Sequence, residues 1–289
     1  MRRVDLQAHS RHSDGELAAG EVVAAAAAAG VEVLALSDHD TVDGVAEARA
    51  AARLHGIGLL AATEISAVDS GYEDLHVLGY RIDHGDRRLL ERLEGAREDR
   101  ELRAERMTAL LEGLGYAVDE APLQARRSSG KPIGRPHLAG AVLAHPANAE
   151  RLRQDGHDDI SSFIAAMLIP GAPAYARRTR PTVAEAIGWI HDAGGVAFWA
   201  HPFWDIDPDA EVLAALDRYR AAGLDGIECF YVTHDRRQAL LLADRAAELG
   251  LLTSASSDYH GPDHRLFNRF LAYELHDREP MLGNLLDDL

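Results

Sequence analysis

Residues 31–40 read VEVLALSDHD, an apolar, partly β-branched run that gives way after Ser37 to Asp38, His39 and Asp40. A short apolar run is the pattern of a buried strand, so this polar cluster falls at a strand's C-terminal end. The same grammar recurs on both sides of it. Strands are expected at VDLQA (4–8), IGLLAAT (57–63), EDLHVLGYR (73–81), GGVAFWAHP (194–202), LDGIECFY (224–231) and LLTSASSDYH (251–260). Helical patterns lie between them, including TVAEAIGWIHDAG at 182–194 and EVVAAAAAAG at 21–30. The latter is too short and too alanine-rich to span a bilayer, and reads as a buried helix capped by Gly30. From Glu98 to Ala174 the alternation stops, and charged helices take over around the loop RRSSGKPIG. The fold class is therefore α/β, a seven-stranded parallel (β/α)7 barrel with an all-helical insertion. Residues 1–97 and 175–289 form the barrel, and 98–174 form an insertion expected to cover its mouth.

Composition narrows the chemistry. A net charge of −17 argues against broad binding of duplex nucleic acid or an anionic membrane, so an anionic substrate needs local arginines or bound metals. The single cysteine, Cys229, allows neither an internal disulfide nor a thiolate metal cluster, and with no signal-peptide core before Asp5 the expected location is the cytoplasm. No obligate protein partner is evident. His9 and Asp14 follow the first strand, His39 the second, Glu64 the third, His201 the fifth, and Asp258 with His260 the seventh, while His76 lies within the fourth. A single loop histidine or aspartate is ordinarily structural. Repetition at equivalent strand ends, which share one face of a barrel, instead builds a site of imidazoles and carboxylates suited to Mn²⁺, Fe²⁺ or Zn²⁺.

The stretches DLQAHSRHSDG, ALSDHDTVDG, TEISA, LHVLGY, AHP and SSDYHG, in that order, resemble the polymerase and histidinol phosphatase (PHP) superfamily of metal-dependent phosphoesterases. IGRPHLAGAVL in the insertion is similar to the branch that removes phosphate from 3′,5′-bisphosphonucleotides or trims short 5′-phosphorylated RNA. The resemblance implies a distorted seven-stranded barrel and two or three divalent ions, Mn²⁺ foremost. The first ion would be held by Gln7, His9, Glu64 and Asp258, the second by Glu64, His76 and His201, and the third by Asp14, His39 and His260. Such ions activate a water and neutralise charge on the attacked phosphate, so no protein nucleophile is required. A histidine is expected where Gln7 stands. Its amide oxygen is a poorer ligand than imidazole and would weaken the first position; alternatively it hydrogen-bonds a neighbouring ligand and the site holds two ions.

The resemblance also implies a small phosphorylated substrate, a nucleotide or short oligonucleotide. Arg135 and His137, at the start of a helix, would bind its phosphate, with Lys131 a weaker candidate there and Arg177 and Arg178 weaker candidates for a second phosphate. His234 would contact phosphate or protonate the leaving oxygen, making it, with Asp258, a catalytic candidate. A phosphatase of a non-nucleotide metabolite such as histidinol phosphate is the alternative enzyme. A catalytically impaired phospho-ligand binder is the alternative outside enzymes, and Gln7 is its support. Asp38 or Asp40 would orient His39 or cap the helix beginning near Thr41. His191, His12, Cys229, Trp199 and Trp204 read as structural, although Trp204 could stack on a nucleobase.

Overall fold

The computed structural model describes residues 2–128, 133–157, 159–177, 181–287 and 289. In chain order the barrel elements begin with β1 (Val4–Asp5), α1 (Ala19–Ala28), β2 (Val33–Leu36), α2 (Val45–His55), β3 (Gly58–Asp69) and β4 (Tyr72–Tyr80). Five helices follow: α3 (Arg87–Gly113), α4 (Glu120–Ser128), α5 (Arg135–Ala144), α6 (Ala149–Asp155) and α7 (Ile160–Met167). The chain then continues through α8 (Val183–Asp192), β5 (Val196–Trp199), α9 (Asp209–Ala221), β6 (Gly226–Tyr231), α10 (Arg236–Leu249) and β7 (Leu252–Ser256).

The strands form one seven-stranded sheet in sequential order. Its edges nearly meet, because the Leu6 N–H donates to the Ala255 carbonyl at 3.1 Å and Ala8 bridges Tyr259 in parallel. A fully parallel barrel was expected, and here the structure corrects the sequence reading. β4 runs antiparallel to both β3 and β5. The cause is local: Ser70 and Gly71, with φ of 46° and 100°, form a two-residue hairpin between the paired Asp69 and Tyr72, leaving no helix to carry the chain back. Reversal brings the first half of β4 to the C-terminal ends of the other strands. His76 therefore lies level with β5's exit, where its carbonyl accepts from the Ala200 N–H at 3.1 Å. A second correction is that β3 runs on to Asp69, so Glu64 lies inside a strand and not beyond one.

Apolar residues explain why the barrel holds. Leu6, Val33, Ile65, Leu78, Tyr80, Phe198, Trp199 and Ile227 belong to one buried cluster. α1 buries Ala19, Val22, Val23 and Ala26, the stripe a helix presents at intervals of three and four residues. Contacts divide the chain into Met1–Glu94 with Pro181–Leu289, which holds the whole sheet, and Gly95–Arg180. The second unit has its own apolar centre, including Leu111, Tyr116, Leu123, Leu138, Val142 and Phe163. Lys131 and Arg178 lie outside the described residues. Among those described, no helix is long and apolar enough to cross a membrane.

Candidate metal centre

The site begins with how its loops are held. After β1 the chain folds back on itself, and a Cβ at Gly15 would meet the His9 carbonyl oxygen at 2.3 Å, so glycine is required there. Asp38 fixes this loop by accepting from the Ser10 N–H, the Ser10 hydroxyl and the Ser13 hydroxyl, each at 2.7 Å. Asp40 accepts from the Ser66 N–H at 2.9 Å and its hydroxyl at 3.0 Å. These aspartates thus tie neighbouring strand ends together. The residue before α2, Gly44, carries no side-chain cap.

Glu64, with no exposed surface, lies at the centre. Its Oε1 is 2.9 Å from His76 Nδ1 and 3.0 Å from His201 Nε2, and its Oε2 is 3.1 Å from His9 Nε2 and 3.6 Å from His39 Nδ1. His9 Nε2 also lies 3.0 Å from Asp258 Oδ1. On the far side of the rings, Asp14 stands 3.6 Å from His39 Nε2 and 3.5 Å from His260 Nε2. The His9 ring is stacked between His39 and His260, with centroids 4.5 and 4.3 Å away. Among the described residues, three groups have ligand atoms close enough to hold an ion: His9, Asp14, His39 and His260; His39, Glu64 and His76; and His9, Glu64 and Asp258.

This donor set fits divalent cations for two reasons. His9 Nδ1 and Nε2, His39 Nδ1, His201 Nδ1 and Asp258 Oδ1 are buried without a hydrogen-bond partner. His9 Nε2 approaches two carboxylate oxygens at short distance yet without hydrogen-bond geometry, as expected when donor atoms converge on a shared point. Charge gives the second reason. Burial works against a charged His9, but Asp258 and Glu64 outweigh it and hold its pKa well above the ordinary imidazole value. Burial likewise opposes charge on His201, whose pKa Glu64 nonetheless raises to about 9. For Asp258 burial is outweighed by His260 and His9, which bring its pKa to about 2. Protons on imidazoles thus balance buried carboxylates, and cations would displace those protons.

Supporting contacts surround the cluster. His201 and Asp258 both have positive φ, 28° and 53°, which is costly for residues other than glycine. Each is held there: the His201 N–H donates to Glu228 Oε2 at 2.8 Å, and the Tyr231 hydroxyl donates to Asp258 Oδ2 at 2.8 Å. Gln7 is fully buried, with its amide Nε2 donating to Glu64 Oε2 at 2.9 Å and its Oε1 3.4 Å from the Ser256 hydroxyl. Ser256 also contacts Glu228 Oε1. A polar ring therefore runs from Glu64 through Gln7, Ser256, Glu228 and His201 back to Glu64. Of these, Glu228, Ser256 and Tyr231 were missed in the sequence. Glu228 had a readable signal, since a carboxylate inside the apolar strand GIECFY must find buried partners.

The remaining candidates divide by location. His234 sits beyond β6, with Nδ1 3.0 Å from the Cys229 carbonyl and Nε2 buried without a partner. Burial depresses its pKa to about 4. The proton therefore resides on Nδ1, and Nε2 is an acceptor; acting as the acid toward a leaving oxygen would first require protonation. Arg135 and His137 open α5 in the helical unit, where His137 Nδ1 accepts from the Gly134 N–H at 3.0 Å and so caps its own helix. His12 is exposed, His191 Nε2 meets Asp225 Oδ2 at 2.8 Å on α8, and Cys229 and Trp199 are core residues. Trp204 is 50% exposed.

Residues 5–129 match the PHP domain family. A 3′,5′-nucleoside bisphosphate phosphatase from Chromobacterium violaceum is 36% identical over 266 residues, covering 91% of this chain and 88% of that protein. A 5′-3′ exoribonuclease from Haemophilus influenzae is 32% identical over 261 residues, covering 90% and 91%. Among solved structures, an amidohydrolase from Chromobacterium violaceum with bound sulfate superimposes with a TM-score of 0.78 at 32% identity, covering 96% of this chain and 93% of that one.

Proposed function

The chain belongs to the PHP family, and on that premise we propose that it is a metal-dependent phosphoesterase that hydrolyses phosphate monoesters of small nucleotides, 3′,5′-bisphosphonucleotides foremost, or of short 5′-phosphorylated oligonucleotides. The observation that carries this reading is the convergence of buried, unpartnered imidazole nitrogens and carboxylate oxygens on Glu64. Two or three divalent ions, Mn²⁺ in this proposal, would supply an acidified water and neutralise phosphate charge. His9, Glu64 and Asp258 would hold the first, Glu64, His76 and His201 the second, and Asp14, His39 and His260 the third. Asp258 offers Oδ1, because Tyr231 occupies Oδ2. His234, neutral with Nε2 as acceptor, serves the substrate by accepting a proton or a hydrogen bond. For Arg135 and His137, at the start of α5, the proposal carries forward the phosphate-binding role inferred from the sequence. The lone buried cysteine agrees with a reducing cytoplasm.

A phosphate-release screen with added Mn²⁺ tests the proposal. 3′-Phosphoadenosine 5′-phosphate or a 5′-phosphorylated dinucleotide should be the best substrate, ahead of histidinol phosphate and ribose 5-phosphate. Asp258→Ala should abolish release while leaving the circular dichroism spectrum intact. Fastest turnover of histidinol phosphate would establish the metabolite-phosphatase alternative. Binding without turnover of any ester would establish the impaired phospho-ligand binder.

A further inference from the structure

We propose that Trp204 is the stacking platform for the substrate's nucleobase, making the turn after β5 a nucleoside subsite beside the metal centre. This deepens, and rests on, the nucleotide reading above. Trp204 is 50% exposed, whereas Trp199, five residues earlier, is 1% exposed and built into the core. Folding therefore does not account for the position of the Trp204 indole. The backbone that carries it is nevertheless held, because the Trp204 main-chain N–H donates to the His201 carbonyl at 2.8 Å. The indole lies 6.5 Å from the His201 ring and 5.7 Å from Phe267, whose ring is 5.4 Å from His260. A wall of rings thus runs from one candidate ligand, His260, through Phe267 and Trp204 to another, His201.

A phosphate held by the cluster leaves the rest of its ester to lie along some wall of the site. This wall suits a flat, uncharged group: an indole face stacks on the whole π-face of a base, a larger contact than the C–H edge of a ribose provides. The turn after β6 adds a polar feature. His234 Nε2, the buried acceptor, belongs to a ring 5.6 Å from Phe203 and 5.3 Å from Tyr231, and it calls for a donor such as a nucleoside hydroxyl or amino group. Stacking tolerates every base, since each has a π-face. The subsite should therefore separate nucleotides from sugar phosphates far better than one base from another.

Tryptophan fluorescence of the Mn²⁺-loaded protein tests this directly, with AMP, UMP, ribose 5-phosphate and inorganic phosphate as probes. AMP and UMP should quench emission, and ribose 5-phosphate and phosphate should not. Trp204→Leu should remove the quench and weaken AMP binding about tenfold, as loss of one stacked base implies, while leaving ribose 5-phosphate binding unchanged. Because the side chain is half exposed, the variant should unfold at the wild-type temperature, which thermal denaturation checks. Retained quenching, or an unchanged preference for AMP over ribose 5-phosphate, would overturn the platform. If the variant hydrolyses a bisphosphonucleotide with the wild-type KM, the platform fails and the nucleotide reading stands. If the wild type releases phosphate from sugar esters alone, both fail.

Discussion

Glu64 on β3 and Glu228 on β6 are both carboxylates with no exposed surface inside one barrel, and their surroundings push them in opposite directions. Around Glu64, burial favours the neutral acid, but His39, His76 and His201 outweigh it and hold the pKa well below the ordinary carboxylate value. Around Glu228, burial prevails over His201 and the Ser256 hydroxyl, and the pKa rises to about 8. Burial alone therefore does not set charge. What differs is the supply of cationic partners: Glu64 faces imidazole nitrogens on both oxygens, whereas Glu228 has a backbone N–H and a hydroxyl. One region is built to attract cations, and the other to hold a backbone in place beside it.

The same substitution at both positions exposes the contrast, and the largest effect is expected at Glu64. Glu64→Gln removes the charge shared by several imidazoles, so metal binding and phosphate release should fall to background. In the metal-free protein, breaking a buried ion pair on one side should cost about 3–5 kcal/mol of stability. This contribution, from a depressed pKa, is present above the ordinary carboxylate range and disappears as pH falls through the native value. Metal titration by calorimetry and thermal unfolding at pH 7 measure both consequences. Wild-type metal stoichiometry in the variant would remove Glu64 from the centre.

At Glu228 the sign reverses. A raised native pKa means that the folded protein binds a proton which the unfolded chain gives up between its ordinary value of 4.5 and about 8. Stability is therefore full below that window and declines across it by about 1.4 kcal/mol per pH unit. Glu228→Gln, which mimics the neutral acid, should abolish the decline. In chelator-treated protein its Tm should equal the wild type's near pH 5 and exceed it at pH 9. A variant less stable than wild type at pH 9 would show that Glu228 is charged in the fold and that the two regions are alike.

Much of this architecture was legible because strand ends are written in short local patterns. VEVLALSDHD and VAFWAH each mark a place where the backbone leaves the sheet and a ligand-type side chain follows, and LLAATE marks an apolar run that delivers Glu64 at the same level although its strand continues. The reversal of β4 was legible too, in the Ser-Gly pair between two apolar runs, but the helical rhythm on either side outweighed a two-residue signal. The partners of Asp38, Asp40 and Glu228 were not legible. Each bonds across strands to a residue distant in sequence, such as Ser10, Ser66 or Ser256, and no local pattern encodes which polar groups meet when a sheet curls. The orientation of Gln7 belongs to the same class.

Gln7 joins the two regions, and changing it should have the smallest effect. Its amide must present N–H to Glu64 Oε2, because turning the group over would set two oxygens against each other at 2.9 Å. As it stands, Gln7 steadies the carboxylate that serves two of the candidate ion positions, and its oxygen points instead toward Ser256. The first position then relies on His9, Glu64 and Asp258 alone, so its ion should be the easiest to remove with a chelator. Gln7→His exchanges a hydrogen-bond donor to Glu64 for an imidazole ligand. Metal occupancy at limiting Mn²⁺ should rise and half-saturation should fall roughly threefold to tenfold, toward the lower end of what changes beside a metal produce. Turnover at saturating Mn²⁺ should change little, since the remaining ligands are untouched. The gain should also be partly offset, because Glu64 loses the N–H that fixes it and Ser256 loses an acceptor, leaving its hydroxyl to Glu228 alone. Identical stoichiometry, affinity and turnover in the two proteins would mean that position 7 contributes neither a ligand nor a brace, and that Glu64 is held by its imidazoles alone.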